Sequence, residues 1–241
     1  MPEKALFLET YLREIGVHTP VSLLSFGPEK TSEYIHPDAQ HNDTAQNVEI
    51  DSANFKTLDA LCEDASSCRL CALADTRTQV VFGAGNSHAD LLFVGEAPGQ
   101  DEDLQGEPFV GRSGPLLDRM LHAIGMDRDN VYIMNSIKCR PPNNRDPRPD
   151  EVQACKLWFE QQLDIIQPKM ICLLGRVAAQ TVLKTDDTLG ALRGSWHEFQ
   201  GIPVWVTYHP AYLLRSPRQK QKSWQDMMQL KLRFQALKIS E

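Results

Sequence analysis

Short apolar runs alternate with longer stretches of helical periodicity over most of this chain, the pattern of crossover units laid on a parallel sheet. The runs Gln79–Phe82, Asp90–Val94, Val131–Asn135, Lys169–Leu174 and Val204–Thr207 predict strands. Between and after them, Gly114–Ile124, Pro149–Ile166, Val177–Leu183 and Trp224–Leu237 predict helices. Pro149 and Asp150 suit a first helical turn: proline has no amide to leave unsatisfied, and an acid sits well at the positive end of a helix. The expected class is therefore α/β, a three-layer α/β/α arrangement around a central, mostly parallel sheet of four to five strands. In such sheets ligands bind beyond the carboxyl ends of the strands. The unusual sequences fall there: Gly95–Gly99, Asn135 and Tyr208–Pro210.

The front of the chain follows another rule. Ala5, Leu8, Leu12 and Ile15 recur at helical spacing and Gly16 supplies a stop, so residues 1–27 read as an amphipathic helix region suited to docking. Residues 28–54 are polar, rich in Pro, Asp, Asn, Gln, Thr and Ser, and read as a flexible linker because too little apolar surface is present to offset the entropy of ordering. Residues 55–241 are left for the main domain. No apolar run approaches a membrane span and no signal-peptide core follows the N-terminus, which predicts a soluble cytoplasmic protein with no membrane partner.

Charge sharpens this division. Of the formal net charge of -7, the first 60 residues supply -6, with ten Asp and Glu against four Lys and Arg. The main domain is thus close to neutral and carries two basic segments. Leu213–Lys222 holds Arg215, Arg218, Lys220 and Lys222 with no acid, and Lys138–Arg148 holds four basic residues against Asp146. Such loops suit phosphates without a basic protein around them; taken alone they would equally be solvated surface.

Six cysteines without a secretory signal are poor disulfide candidates in a reducing compartment. Cys68 and Cys71 form a C-x2-C pair, and Cys139 and Cys155 follow from distant segments, so four soft ligands would staple the start of the domain to the region after the third strand. Cys172, inside an apolar strand, and Cys62, in a helical stretch, read as packing residues. Four thiolates suit zinc or an iron-sulfur cluster equally.

Three further motifs decide between them. Gly95-Glu-Ala-Pro-Gly99 follows a strand and leads through Glu102-Asp103 into Gly106-Glu-Pro-Phe-Val-Gly-Arg-Ser-Gly114. The series lacks the Gly-Lys-Ser/Thr ending of a nucleotide P-loop. Asn135-Ser-Ile-Lys-Cys-Arg-Pro-Pro-Asn-Asn-Arg145 and His209-Pro-Ala-Tyr-Leu-Leu-Arg215 complete it. Together with the cysteine order, these motifs resemble the family 4 uracil-DNA glycosylases over roughly residues 55–241. The resemblance implies a [4Fe-4S] cluster on Cys68, Cys71, Cys139 and Cys155, with zinc as the alternative, and a DNA repair enzyme that flips uracil out of DNA and hydrolyses its N-glycosidic bond.

Such a site must stabilise a sugar oxocarbenium ion and a uracil anion. The resemblance makes Phe109 the platform on which the flipped base stacks, within a pocket that includes Gly95 and Ala97. Asn135 carries a carboxamide, which both donates to uracil O4 and accepts from its N3-H. His209 is placed to donate, as a neutral imidazole, to uracil O2. In the best-known uracil glycosylases an aspartate steers the water, whereas Ala97 stands at that position here. Glu96 is then the nearest ionisable group, and Glu102 is a candidate wall against the methyl group of thymine. Leu213 or Leu214 is the expected wedge that fills the hole left in the duplex, with Arg215 and Arg218 on flanking phosphates. Arg140 and Arg145 form a second DNA contact.

A uracil-trapping relative would need a histidine on an inserted loop after the third strand, which is absent here. The alternative to an enzyme is a non-hydrolytic iron-sulfur protein that binds DNA or uracil; the presence of Phe109, Asn135 and His209 together argues against it. A monomer acting on uracil-containing DNA is expected, with residues 1–54 available to a protein partner.

Overall fold

The computed structural model describes Arg13 and residues 57–239. The predicted amphipathic helix and linker lie outside the described residues, except for Arg13, which is helical and exposed. In chain order the described residues form α1 (Leu58–Ser66), β1 (Ala84–Gly85), β2 (Leu91–Gly95), α2 (Gln100–Gln105), α3 (Gly114–Ala123), β3 (Tyr132–Asn135) and α4 (Pro149–Ile166). There follow β4 (Met170–Leu174), α5 (Arg176–Leu183), α6 (Leu189–Leu192), β5 (His197–Phe199), β6 (Ile202–Thr207), α7 (Pro210–Arg215) and α8 (Lys220–Ile239).

The strands make one sheet in the order β1-β3-β2-β4-β6-β5. Its four central strands run parallel, and the two short edge strands pair antiparallel. The α/β class stands, with six strands in place of four to five. Both additions are edges of two and three residues, too short to show an alternation in the sequence. The expected strand Gln79–Phe82 is not one. Val81 donates a single backbone bond to Lys138 at 2.8 Å and Phe82 turns into a separate core, so no ladder develops.

Alternation along the central strands builds the layers. Leu91 and Phe93 of β2 pack with Leu117 and Met120 of α3, Leu213 of α7 and Met227 and Leu230 of α8. Leu92 and Val94 point the other way, toward Phe159 and Leu163 of α4 and Ala179 and Val182 of α5. A third cluster lies outside the sheet, where Leu61 and Ala65 of α1 meet Phe82, Ile137, Cys139, Cys155 and Trp158. Thr57 caps α1 by accepting the Ala60 amide at 3.3 Å. Pro149 opens α4 as expected, and Glu151 reaches back to accept the Arg148 amide at 2.8 Å.

Register delivers the site. Gly95 of β2 lies opposite Asn135 of β3, while β4 and β6 end at Leu174 and Thr207, so Gly95, Asn135, Gly175 and His209 all leave the sheet at its carboxyl edge.

Candidate active site

Phe109 sits in the loop between α2 and α3 with a left-handed backbone, φ +55°, and is only 3% exposed. Its ring stacks on His209, centroids 5.4 Å apart at 28°. The ring also fills the space above Gly95. A Cβ built there would lie 2.3 Å from Asn135 Oδ1 and 2.8 Å from Phe109 Cζ, so only glycine lets carboxamide and ring close over this strand end.

Two groups hold the loop. Glu102 accepts the Gly99 amide on Oε2 at 3.1 Å and the Gly111 amide on Oε1 at 3.0 Å. Both oxygens are committed to the loop's own backbone, which makes Glu102 a loop anchor. Arg128 supplies the second hold through the carbonyls of Pro108 at 3.1 Å and Phe109 at 2.5 Å. Nothing in the one-dimensional pattern singled Arg128 out.

Asn135 is 3% exposed. Among the described residues none hydrogen-bonds its carboxamide, whereas its backbone carbonyl accepts the buried amine of Lys138 at 2.8 Å. The side chain thus stands beside the Phe109 ring with its donors and acceptor uncommitted.

His209 caps α7, and the Ala211 amide donates to its Nδ1 at 3.1 Å. Burial, reinforced by the nearby positive charge of Arg215, pulls the imidazole down to a pKa of about 4. At neutral pH the ring is uncharged. Since a backbone amide can only donate, Nδ1 is the acceptor and the single ring proton is on Nε2. Gly175, φ +95°, makes room: a Cβ there would lie 2.9 Å from that of His209.

The segment bearing His209 is tied down from behind. Arg193 grips Asp226 of α8 with Nε and Nη2 at 2.8 Å each, and Thr207 donates to the same carboxylate at 2.7 Å. Arg193 also lies over the Tyr208 ring at 4.0 Å, and Tyr208 donates to Gln219 at 3.1 Å.

Glu96 is the ionisable group the motif places nearest. Burial raises its pKa to about 7, with Asp146 adding to the rise and Arg176 opposing it. Arg176 pairs with Asp146 at 2.7 Å. Ala97 packs against the third cluster.

The structure corrects one interface assignment and qualifies a second. Leu213 is 0% exposed in the core under the sheet and has no surface with which to enter a duplex, whereas Leu214 is 38% exposed. Arg145 forks onto the buried carboxylate of Glu151 at 2.6 and 2.8 Å, so its charge is spent first on the start of α4. Arg140 reaches Asn144 at 2.8 Å, while Arg215 and Arg218 are exposed.

Cys68, Cys71, Cys139 and Cys155 line one small pocket with Arg77, Lys138 and Trp158. Three sulfurs receive an N-H donor, each at 3.2 Å: Trp158 Nε1 to Cys68, Arg77 Nη1 to Cys139 and the Lys138 amide to Cys155. Such donors suit sulfur that carries negative charge. Burial pushes the Cys155 thiol up to about 12, so a thiolate there needs a cationic partner. Among the described residues no three His, Cys, Asp or Glu side chains close on a point that would hold a single ion. Cys172 and Cys62 pack as expected, the first fully buried in β4 and the second against the third cluster.

The profile of the Uracil DNA glycosylase superfamily matches residues 82–230. A type-4 uracil-DNA glycosylase of Archaeoglobus fulgidus is 44% identical over 184 residues, 73% of this chain and 92% of the relative. The chain belongs to this family. Type-4 uracil-DNA glycosylases of Sulfurisphaera tokodaii and Thermotoga maritima are 43% and 42% identical, over 67% and 66% of this chain and 77% and 84% of theirs. In this chain the glycine-rich run Gly95–Gly99 begins at the end of β2 and the His209-Pro210 pair stands at the mouth of β6.

Proposed function

We propose that this chain excises uracil from DNA, hydrolysing the bond between C1′ of deoxyribose and N1 of the base and leaving an abasic site. The observation that carries the reading is the neutral His209, its single proton on Nε2, stacked against Phe109 where Asn135 reaches the same strand end. A flipped pyrimidine lies against the Phe109 face, Asn135 matches the donor and acceptor pattern of its O4 and N3-H, and His209 donates to O2. As the glycosidic bond breaks, the electron pair moves onto uracil, and a donor already oriented stabilises that charge without reorganisation. An uncharged imidazole suits this role because it gives up no proton and its pKa of about 4 keeps it neutral throughout the physiological range.

Water must then reach C1′. Glu96, titrating at about 7, is the carboxylate assigned to hold it, with its ionised form the active one. Leu214 and Tyr212, both exposed on α7, are assigned to the gap left in the duplex, and Arg215 and Arg218 to flanking phosphates.

The four cysteines are assigned to a [4Fe-4S] cluster. Four cysteines lining one pocket, with N-H donors already aimed at three of the sulfurs, suit thiolates held by a cationic group, and the resemblance of the motifs selects the cluster over zinc. When bound, the cluster supplies cross-linking between the segment after α1, the loop after β3, and α4. The monomeric state, the cytoplasmic location and a protein partner for residues 1–54 are assigned on the sequence alone.

The test is release of uracil from an oligonucleotide, read as alkali cleavage at the abasic site, in the wild type and in His209→Ala. Loss of one preorganised donor should slow single-turnover excision by about a hundredfold or more with little change in DNA affinity. An unaltered rate with weakened binding would move the uracil pocket elsewhere.

A further inference from the structure

We propose that Arg128 is a positioning residue that sets the plane of the base-stacking platform through the backbone of Phe109. The proposal rests on the uracil reading above for its kinetic consequence, and on geometry alone for its structural one.

Phe109 holds a backbone conformation that side chains with a Cβ disfavour, φ +55°, at the position where the ring must meet both the strand end and the His209 ring. Such a conformation persists only where its surroundings over-determine it. The backbone on either side of the ring is held by one guanidinium. Nη1 of Arg128 donates to the Pro108 carbonyl at 3.1 Å and Nη2 to the Phe109 carbonyl at 2.5 Å. The planar fork therefore spans two successive peptide units and fixes their relative orientation, which a point charge cannot do. The Arg128 side chain is itself oriented from a third direction by Asp118 of α3, which accepts from Nε at 2.7 Å, and more loosely by Glu107 at 3.4 Å.

The other face of the same peptide is closed by α3. A Cβ at Gly114 would lie 2.0 Å from the Phe109 carbonyl oxygen, so that oxygen is pinned between the helix start and the guanidinium. Arg128 stands in a short 3-10 turn before β3, remote in sequence from the motif it serves, and no sequence pattern connects the two. Its contacts reach the reacting base only through Phe109.

Arg128→Lys keeps the charge and the stem and removes the fork. It should slow single-turnover excision about tenfold or more, leaving affinity for uracil-free duplex unchanged, because no phosphate contact is lost. In a Phe109→Ala background the same substitution should change the rate less than about twofold, since the clamp then has no platform to place. A crystal structure of Arg128→Lys should show the Phe109 ring turned off His209. A wild-type rate for Arg128→Lys, or an equal further loss in the Phe109→Ala background, would overturn the clamp. If the wild-type protein released no uracil, the functional reading would fail, and the ring position in the variant would still decide the proposal: a ring unmoved on His209 would defeat it.

Discussion

Two segments carry similar basic charge in the sequence and use it in opposite ways. Between Lys138 and Arg148 every cation has a partner within the chain. Lys138 is buried on the Asn135 carbonyl, Arg140 reaches Asn144, and Arg145 and Arg148 converge on the buried carboxylate of Glu151. Between Leu213 and Lys222, Arg215 and Arg218 are exposed, and among the described residues no side chain holds either guanidinium. The difference comes from neighbouring acids. Glu151 lies beside the first segment and takes both Arg145 and Arg148, whereas Asp226 behind the second is taken by Arg193. A run of Lys and Arg reports charge, and only the fold reports whether that charge is free for a phosphate.

Leu213→Ala should give the largest effect on this comparison, because the second segment hangs from that side chain. A fully buried leucine lost to a cavity costs about 2–5 kcal/mol, read as a lower unfolding midpoint in denaturant. Leu214→Ala should keep the midpoint and slow excision from duplex DNA more than from single strands; the reverse pattern would exchange the two assignments. Next, Arg145→Ala leaves Glu151 with Arg148 alone, which should lower the melting temperature by several degrees while the salt dependence of DNA binding stays as it was. A flatter salt slope at an unchanged melting temperature would put Arg145 on the DNA after all.

Arg215→Ala should leave melting alone and shrink the slope of log affinity against log salt by about one unit. The smallest effect belongs to Asp146. With Glu96 raised to about 7 and active as the carboxylate, excision should fall as pH drops through that value. Asp146→Asn removes a negative neighbour and releases Arg176, both of which favour the ionised form, so the acid limb should move to lower pH. A limb that stays in place would take Asp146 out of the site's electrostatics.

The long elements were legible because their signals are local. α4 begins at Pro149 and ends at Ile166 as periodicity and the opening proline require, and the four parallel strands fall within two residues of their apolar runs. The site's own motifs were legible for the same reason, each being a short run beyond a strand end. What escaped depends on contacts across the fold. Gln79–Phe82 has strand composition but no neighbouring strand to pair with. Leu213 and Leu214 are chemically identical, and only the packing of α7 under the sheet separates them. Arg128, Arg193 and Asp226 carry no pattern at all, since each acts on a segment distant in sequence.

Lys138 couples two parts of the molecule. Its backbone amide points at the Cys155 sulfur and its amine at the carbonyl of Asn135, so one residue belongs to both the cysteine cavity and the base pocket. A buried amine that lost its negatively charged neighbours would be left poorly compensated in an apolar setting. Burial already brings that amine down to about 7, and the two neighbouring cysteines oppose the fall, so their loss would favour its neutral form while its bond to the Asn135 carbonyl remained. A substitution on the cysteine side of Lys138 is thereby felt at the carbonyl of Asn135 as well, through a single residue.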